Sequence, residues 1–180
     1  MVVIAYLAVS LDGYIADSDG SVNWLNELPN PEKSDYGFND FLDSIDAILM
    51  GANTFRSVQS FGVWPYTKPV YVLSNSIKTI PHGFEDKVIL INGKLTEVFE
   101  KMKASGFHNI YADGGVVVKN CILENILDEL HITHIPVTLG AGISLFPTSN
   151  KKLNFEHIKT KVLGVGLVKS HYKIQKRTSN

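Results

Sequence analysis

Hydrophobic positions along the chain switch repeatedly between two spacings. Val2–Ser10 is a nearly continuous apolar, β-branched run, as expected of a strand covered on both faces. Shorter runs of the same kind follow at Ala47–Met50, Pro69–Leu73, Lys87–Ile91, Ile110–Ala112 and Leu130–Val137, each closed by glycine or polar turn residues. Between them the apolar residues recur at helical intervals. From Asp35 onward Phe38, Phe41, Leu42 and Ile45 make one stripe, and "NTFRSV" reads as a helix start capped by Asn53 or Thr54. Leu95–Ala104 is a helix closed by Gly106, and Val116–Leu127 is a further helix despite its β-branched start. Leu153–Val162 and Leu167–Gln175 form a hairpin around "LGVG".

This order predicts an α/β fold: a mixed, mostly parallel central sheet with flanking helices and an antiparallel hairpin at its C-terminal end. A chain of 180 residues is expected to make one domain, 1–180. Residues 17–34 form a long polar connection, and connections of that length often carry function.

Composition narrows the setting. The chain is 44% hydrophobic and 19% charged with a formal net charge of −1, ordinary for a soluble protein and without a global field to attract nucleic acid or an anionic membrane. Lys169, Lys173, Lys176 and Arg177 read as a solvated strand end and tail. The lone Cys121 excludes an intramolecular disulfide and a cysteine zinc cluster, and its apolar surroundings mark it as a small buried hydrophobe. The apolar N-terminus breaks at Asp12-Gly13, too short to span a bilayer and without a basic leader, so a cytoplasmic location is expected.

Open α/β sheets bind ligands at the carboxyl ends of their strands. Three candidate ends occur here: Met50-Gly51-Ala52-Asn53-Thr54, Leu73-Ser74-Asn75, and Ala112-Asp113-Gly114-Gly115. The first and third also open helices, whose free N–H groups suit phosphate, and glycine lets a pyrophosphate approach the backbone. Each could equally be a tight turn, and neither the G-x-G-x-x-G fingerprint nor the P-loop is present. Asp35 falls on the apolar face of its helix by spacing, where burial would raise its pKa for proton relay; the alternative is a first-turn acid facing the helix dipole. Asp12 is either a substrate contact or a turn residue. Trp24 and Trp64 either roof a planar ligand or pack at a rim. His131 and His134 face opposite sides of their strand, so no metal spacing emerges.

"MGANTFRSV" (50–58), "VYVLSNS" (70–76), "YADGGVVVKNCIL" (111–123) and "LHITHIPVTLGAGISLF" (130–146) have the order and approximate spacing of the dihydrofolate reductase superfamily. The resemblance spans residues 2–175. It is closest to the branch containing the C-terminal reductase domain of the bifunctional riboflavin-biosynthesis enzyme. That resemblance implies a dihydrofolate-reductase-like three-layer fold and an NAD(P)H-dependent reductase acting on a C=N or C=O bond of a small heterocycle, most like a pyrimidine riboflavin precursor. A cofactor-binding module with little activity and a divergent dihydrofolate reductase are the alternatives.

By the same resemblance Gly51 and Thr54 hold cofactor phosphate, Leu73 and Ser74 flank the adenosine, and Gly114, Gly115, Val116 and Val117 cradle the pyrophosphate. Ala8 and Ile15 frame the nicotinamide. Asp35 takes the position of the acidic residue that binds substrate and assists protonation, with Asp12, Trp24, Phe38, Trp64 and Lys68 around the substrate. NADPH is the expected cofactor, with NADH left open because Ala52 stands where the family often has arginine. Lys68 stands near the place of the arginine that grips folate, and lysine cannot form the same fork. Asp113, next to a phosphate seat, is expected to point away from it. The family also makes a homodimer an expectation.

Overall fold

The structure is a computed structural model that describes residues 1–148 and 152–176. Arg177 lies outside the described residues. Ten strands and four α-helices follow in the order β1 (Val2–Ser10), β2 (Tyr14–Ala16), α1 (Phe38–Asp43), β3 (Ala47–Gly51), α2 (Ala52–Ser60), β4 (Val70–Leu73), β5 (Val88–Ile91), α3 (Leu95–Ala104), β6 (Asn109–Asp113), α4 (Gly115–Leu123), β7 (Glu129–Ile135), β8 (Ile143–Ser144), β9 (Phe155–Val162) and β10 (Val168–Ile174). Eight strands form one sheet in the order β5-β4-β3-β6-β1-β7-β10-β9, while β2 and β8 pair separately. The pairs from β5 to β7 are all parallel; β10 runs antiparallel to both β7 and β9. This is the expected mixed, mostly parallel α/β sheet with its terminal hairpin.

The apolar patterns explain the layers. In β3, Ala47, Ile48, Leu49 and Met50 are all fully buried, because both faces of this central strand are covered. One face packs Val3, Ala5, Leu49, Ile110 and Ala112 against Val98, Phe99 and Met102 of α3 and Val118 and Cys121 of α4. The other face packs Ile4, Ile48, Met50 and Tyr111 against Phe41, Leu42 and Ile45 around α1 and Phe55 of α2. Cys121 is fully buried, and burial pushes its thiol pKa up to about 12. Asp46 ties the starts of two neighbouring strands together by accepting the amides of His108 and Asn109 at 2.7 and 2.8 Å. Among the described residues no helix is long and apolar enough to cross a membrane.

Local differences have local causes. The second helix starts at Ala52 rather than after Asn53 or Thr54: Gly51 is its N-cap and no side chain caps it, so Thr54 lies inside the first turn. Asp35 lies outside α1, because the backbone turns left-handed at Tyr36 (φ 52°) and Gly37 (φ 79°) before the helix begins at Phe38. The fourth helix stops at Leu123, with Asn125 left-handed just beyond (φ 59°), short of the expected Leu127.

Phe55 is fully buried and meets Trp64 and Phe84 edge-on at 6.3 and 5.7 Å between centroids. Phe55→Ala is therefore expected to cost about 3–5 kcal/mol in urea unfolding. A loss below about 1 kcal/mol would mean this contact does not anchor α2.

Candidate functional site

The parallel strands deliver their carboxyl ends to one edge. Register places Gly51 beside Leu73, and Met50 beside Asp113, so the three sequence-predicted strand ends are neighbours. There the first turns of α2 and α4 meet. A Cβ on Gly114, whose φ is +87°, would lie 1.9 Å from Thr54 Oγ1. One on Gly115 would lie 2.4 Å from Ile15 Cδ1, and one on Gly51 3.7 Å from Val117 Cγ2. The structure thus gathers Gly51, Thr54, Gly114, Gly115, Val117, Leu73 and Ile15; Val116 stands exposed on the same first turn of α4.

Neither helix start has a side-chain cap or an acid in its first turn. Free N–H groups and two dipole ends therefore face one rim, a donor set that fits a diphosphate. Ser74 lies beside it with its Oγ accepting the amides of Ser76 and Ile77. Arg56, one turn into α2, reaches Asn53 Oδ1 at 3.0 Å and Ser76 Oγ at 3.5 Å, which puts a guanidinium by the Leu73-Ser74 turn. Ala8 pairs with Thr133 and packs in the cluster around Trp24.

The carboxylates divide sharply. Asp35 is exposed, and its two oxygens accept the amides of Gly37 and Asn39, both at 2.9 Å. Those backbone bonds lower its pKa, with Lys169 adding a small pull. The expected rise is thus overturned: the residue is a helix-start cap, because the left-handed turn aims it at amides instead of into an apolar cleft. Asp12 is likewise spent. Its oxygens accept Ser10 Oγ at 2.6 Å and the amides of Leu139 and Gly140, which pins the β1–β2 turn to the loop after β7 and lowers its pKa.

Asp113 is the exception. It ends β6, one residue before the glycines, and is held by the hydroxyls of Tyr66 and Tyr111 on the α1/α2 face of the sheet. Its side chain therefore points to the sheet face and not along the α4 axis. The Tyr111 hydroxyl lies 2.9 Å from both Asp113 Oδ1 and the Tyr6 carbonyl, so one proton serves two acceptors. Burial raises the Asp113 pKa despite the hydroxyls, and burial beside Asp113 raises both tyrosines. Sequence reasoning missed this group; the signal was an acid on the inward alternation of β6, in register with Met50.

Other expected contacts are distributed more widely. Phe38 packs against Tyr6, and Trp64 meets Tyr66 edge-on at 5.2 Å, so both belong to the wall that includes Asp113's partners. Trp24 is buried with Ile135 and Leu167, which makes it packing behind Ala8 rather than a roof. Lys68 acts on Asp46, the residue that precedes β3, so it sits at the amino edge of the strands, away from the glycine turns. A cavity of about 850 Å³ opens beside Asp35, Gly37, Asp40 and Phe41, with Lys169 and His171 in its floor, so the expected catalytic residue Asp35 lies at this cavity and not at the glycine turns. None of the residues gathered at the glycine turns lines it.

Residues 1–169 match the family model of the RibD C-terminal domain. The chain belongs to that family. It is 35% identical over 173 residues to the uncharacterized protein YwjB of Bacillus subtilis (strain 168), covering 94% of this chain and 95% of that one. The crystal structure of a putative riboflavin biosynthesis protein from Shewanella sp. PV-4 is 43% identical, with a TM-score of 0.91 over 97% of this chain and 99% of that one. Dihydrofolate reductase from Enterococcus faecalis, complexed with NADP(H), superimposes with a TM-score of 0.65 at 20% identity over 97% and 96%. As a RibD C-terminal domain with a dihydrofolate-reductase-like fold, the chain has a reductase-type architecture.

Two glycine substitutions separate strain from access. Gly114→Ala would force a side chain into a left-handed conformation against Thr54, whereas Gly115→Ala meets only the mobile end of Ile15. Urea unfolding is expected to show Gly114→Ala destabilised by more than about 1 kcal/mol and by more than Gly115→Ala. Equal losses would contradict the geometry. The pKa values of Asp12, Asp35 and Asp46 are all lowered, so their stabilising contribution is complete above the unfolded value of 3.8 and drains as pH falls through the lower folded values. Asp35→Asn is expected to flatten that acid limb in a melt series from pH 6 down to pH 3; an unchanged slope would show that its cap does not carry the effect.

Proposed function

We propose that this chain is an NADPH-dependent reductase of a small planar heterocycle, most like a pyrimidine intermediate of riboflavin formation. The carrying observation is the meeting of two helix N-termini without side-chain caps at Gly114 and Thr54, with the carboxyl of Asp113, its pKa raised by burial, one residue inside. A reduced nicotinamide cofactor held by these residues would supply the hydride. The chain's own part is alignment and proton supply.

The first-turn amides of α2 and α4 would hold the diphosphate, with Gly114 and Gly115 leaving the backbone open to it. Ile15 and Ala8 would frame the nicotinamide ring. Arg56, backed by Ser74 and Ser76, would supply the cation that Ala52 does not, facing an adenosine 2′-phosphate. This favours NADPH over NADH. Phe38, Tyr6, Trp64 and Tyr66 would make the wall against which a planar ring lies.

Asp113, rather than Asp35, would manage the proton. Reduction of a C=N or C=O bond adds hydride to carbon and a proton to the heteroatom. A carboxyl whose pKa is raised by burial, with Tyr66 and Tyr111 fixing its orientation, would give that proton and regain it through solvent. Lys68 stands at the opposite edge, so a folate-like glutamate tail has no grip there, which supports a pyrimidine over a folate.

Two measurements test the reading. Arg56→Ala is expected to weaken NADPH binding by about tenfold or more while leaving NADH within about twofold; equal loss for both would remove Arg56 from the 2′-position. With aminopyrimidine ribosides and pterins as substrates, Asp113→Asn is expected to lower kcat by about 100-fold or more with NADPH affinity retained. The wild-type rate is expected to fall as pH rises through the raised Asp113 pKa, because the donor loses its proton. A variant with wild-type kcat, or a wild-type rate that climbs with pH, would overturn the assignment.

A further inference from the structure

The cavity beside α1 has a floor that the reductase reading does not use. His131 of β7 and His171 of β10 are directly opposed in the antiparallel register, with ring centroids 4.0 Å apart. Glu129 stands two residues before His131 on the same strand, hence on the same face. Its Oε2 lies 3.0 Å from His171 Nε2 and 3.9 Å from His131 Nε2. One ligand atom from each residue fits within a 4.8 Å cluster. Tetrahedral donors around a zinc-sized ion, at about 2.0–2.2 Å from it, stand roughly 3.4 Å from one another. The measured separations bracket that value.

The surroundings favour coordination too. The three side chains are only 14–19% exposed, and His131 Nε2 is buried without a hydrogen-bond partner among the described residues. The nearby cations act against a hard ion held by charge alone. Lys169 is committed to the Tyr6 hydroxyl and the Tyr36 carbonyl, and Lys173 lies 3.8 Å from Glu129 Oε1. Two imidazoles and one carboxylate among lysines therefore select for imidazole-seeking metals, not for magnesium or calcium.

The geometry points to a divalent transition-metal site of the zinc class formed by Glu129, His131 and His171, with one coordination position open toward the cavity. His131 and His171 both line that cavity, so an exogenous ligand would reach the ion from there. The site stands apart from the glycine turns and does not depend on the reductase reading.

The test uses the full chain without an affinity tag, stripped with a chelator and titrated with Zn2+ by calorimetry and with Co2+ by visible absorption. One ion per chain is expected, with the strong d–d bands of low-coordinate Co2+. His131→Asn and His171→Asn should each weaken binding by at least about tenfold while the circular dichroism stays native. Glu129→Gln serves as a further variant if either histidine substitution fails to fold, and the same loss is expected. His82→Gln, in the exposed His82–Glu85 pair, should leave binding unchanged. Absence of one-to-one binding, or binding that survives every floor substitution, or binding lost only with His82→Gln, would overturn the site. NADPH binding in the same samples reports the other cleft independently and should not change.

Discussion

Thr54 occupies the space where a side chain on residue 114 would sit, and the site is built around that approach. Strand β6 can deliver its end next to β3 only if α4 turns away at once, and α2 already holds the adjoining position. A left-handed glycine makes the turn, and its missing Cβ admits the threonine. Two helix starts are thereby brought together without either being capped by its own chain. In most helices a serine or aspartate would satisfy those amides; here they are left for something else. The tight turn and the proposed phosphate seat are thus the same object, and the close approach that makes the turn also brings the two helix starts together.

The distribution of charge follows from the same edge. Carboxylates that can reach backbone amides are lowered: Asp12 holds two loops together, Asp35 caps α1, and Asp46 fastens β6 to β3. Each is exposed or nearly so, and each does local structural service. Asp113 has tyrosine hydroxyls as its side-chain partners and little water, so its proton is held more tightly. Of these four carboxyls, Asp113 alone is moved upward, toward the range a proton donor needs, and it lies one residue from the glycines. Location and protonation state are therefore set by one alternation of β6.

The strand and helix pattern was readable in the residues wherever a single period ran unbroken. Val2–Ser10 and Leu95–Ala104 emerge with the expected limits because continuous burial on two faces and a clear i, i+3, i+4 stripe leave no second interpretation. The glycine turns were legible as strand ends, and their convergence followed from parallel pairing. Asp35 was misplaced because helical periodicity cannot reveal a left-handed turn at a non-glycine residue such as Tyr36. The pairing of Tyr14–Ala16 with Ile143–Ser144 was also hidden, since strands of two or three residues carry too few alternations to register. His131 and His134 do face apart, but the partner of His131 is His171, forty residues away and visible only once β10 lies antiparallel on β7.

That last pairing shows how uneven the sheet is. Helices α1 and α2 cover the face over β3, β4, β6 and β1, whose side chains there are apolar or aromatic except for Asp113 at the end of β6. Beyond β1 the same face carries Glu129, His131, Thr133, Lys169, His171 and Lys159, and His131, Lys159, Lys169 and His171 line the cavity beside α1. A sheet face of that polarity would be costly to bury against an apolar helix, and α1 stops at its border with Phe41 against Tyr6 and His131. The cavity is therefore a consequence of side-chain chemistry rather than of a missing element. Apolar strands recruited a helical layer, and the polar strands kept an open pocket. One sheet thus presents two unlike surfaces, a helix-roofed cleft at its carboxyl edge and an imidazole-floored hollow on its flank, and Tyr6 separates them. Its backbone carbonyl accepts from Tyr111 on the Asp113 side, while its hydroxyl accepts from Lys169 on the other.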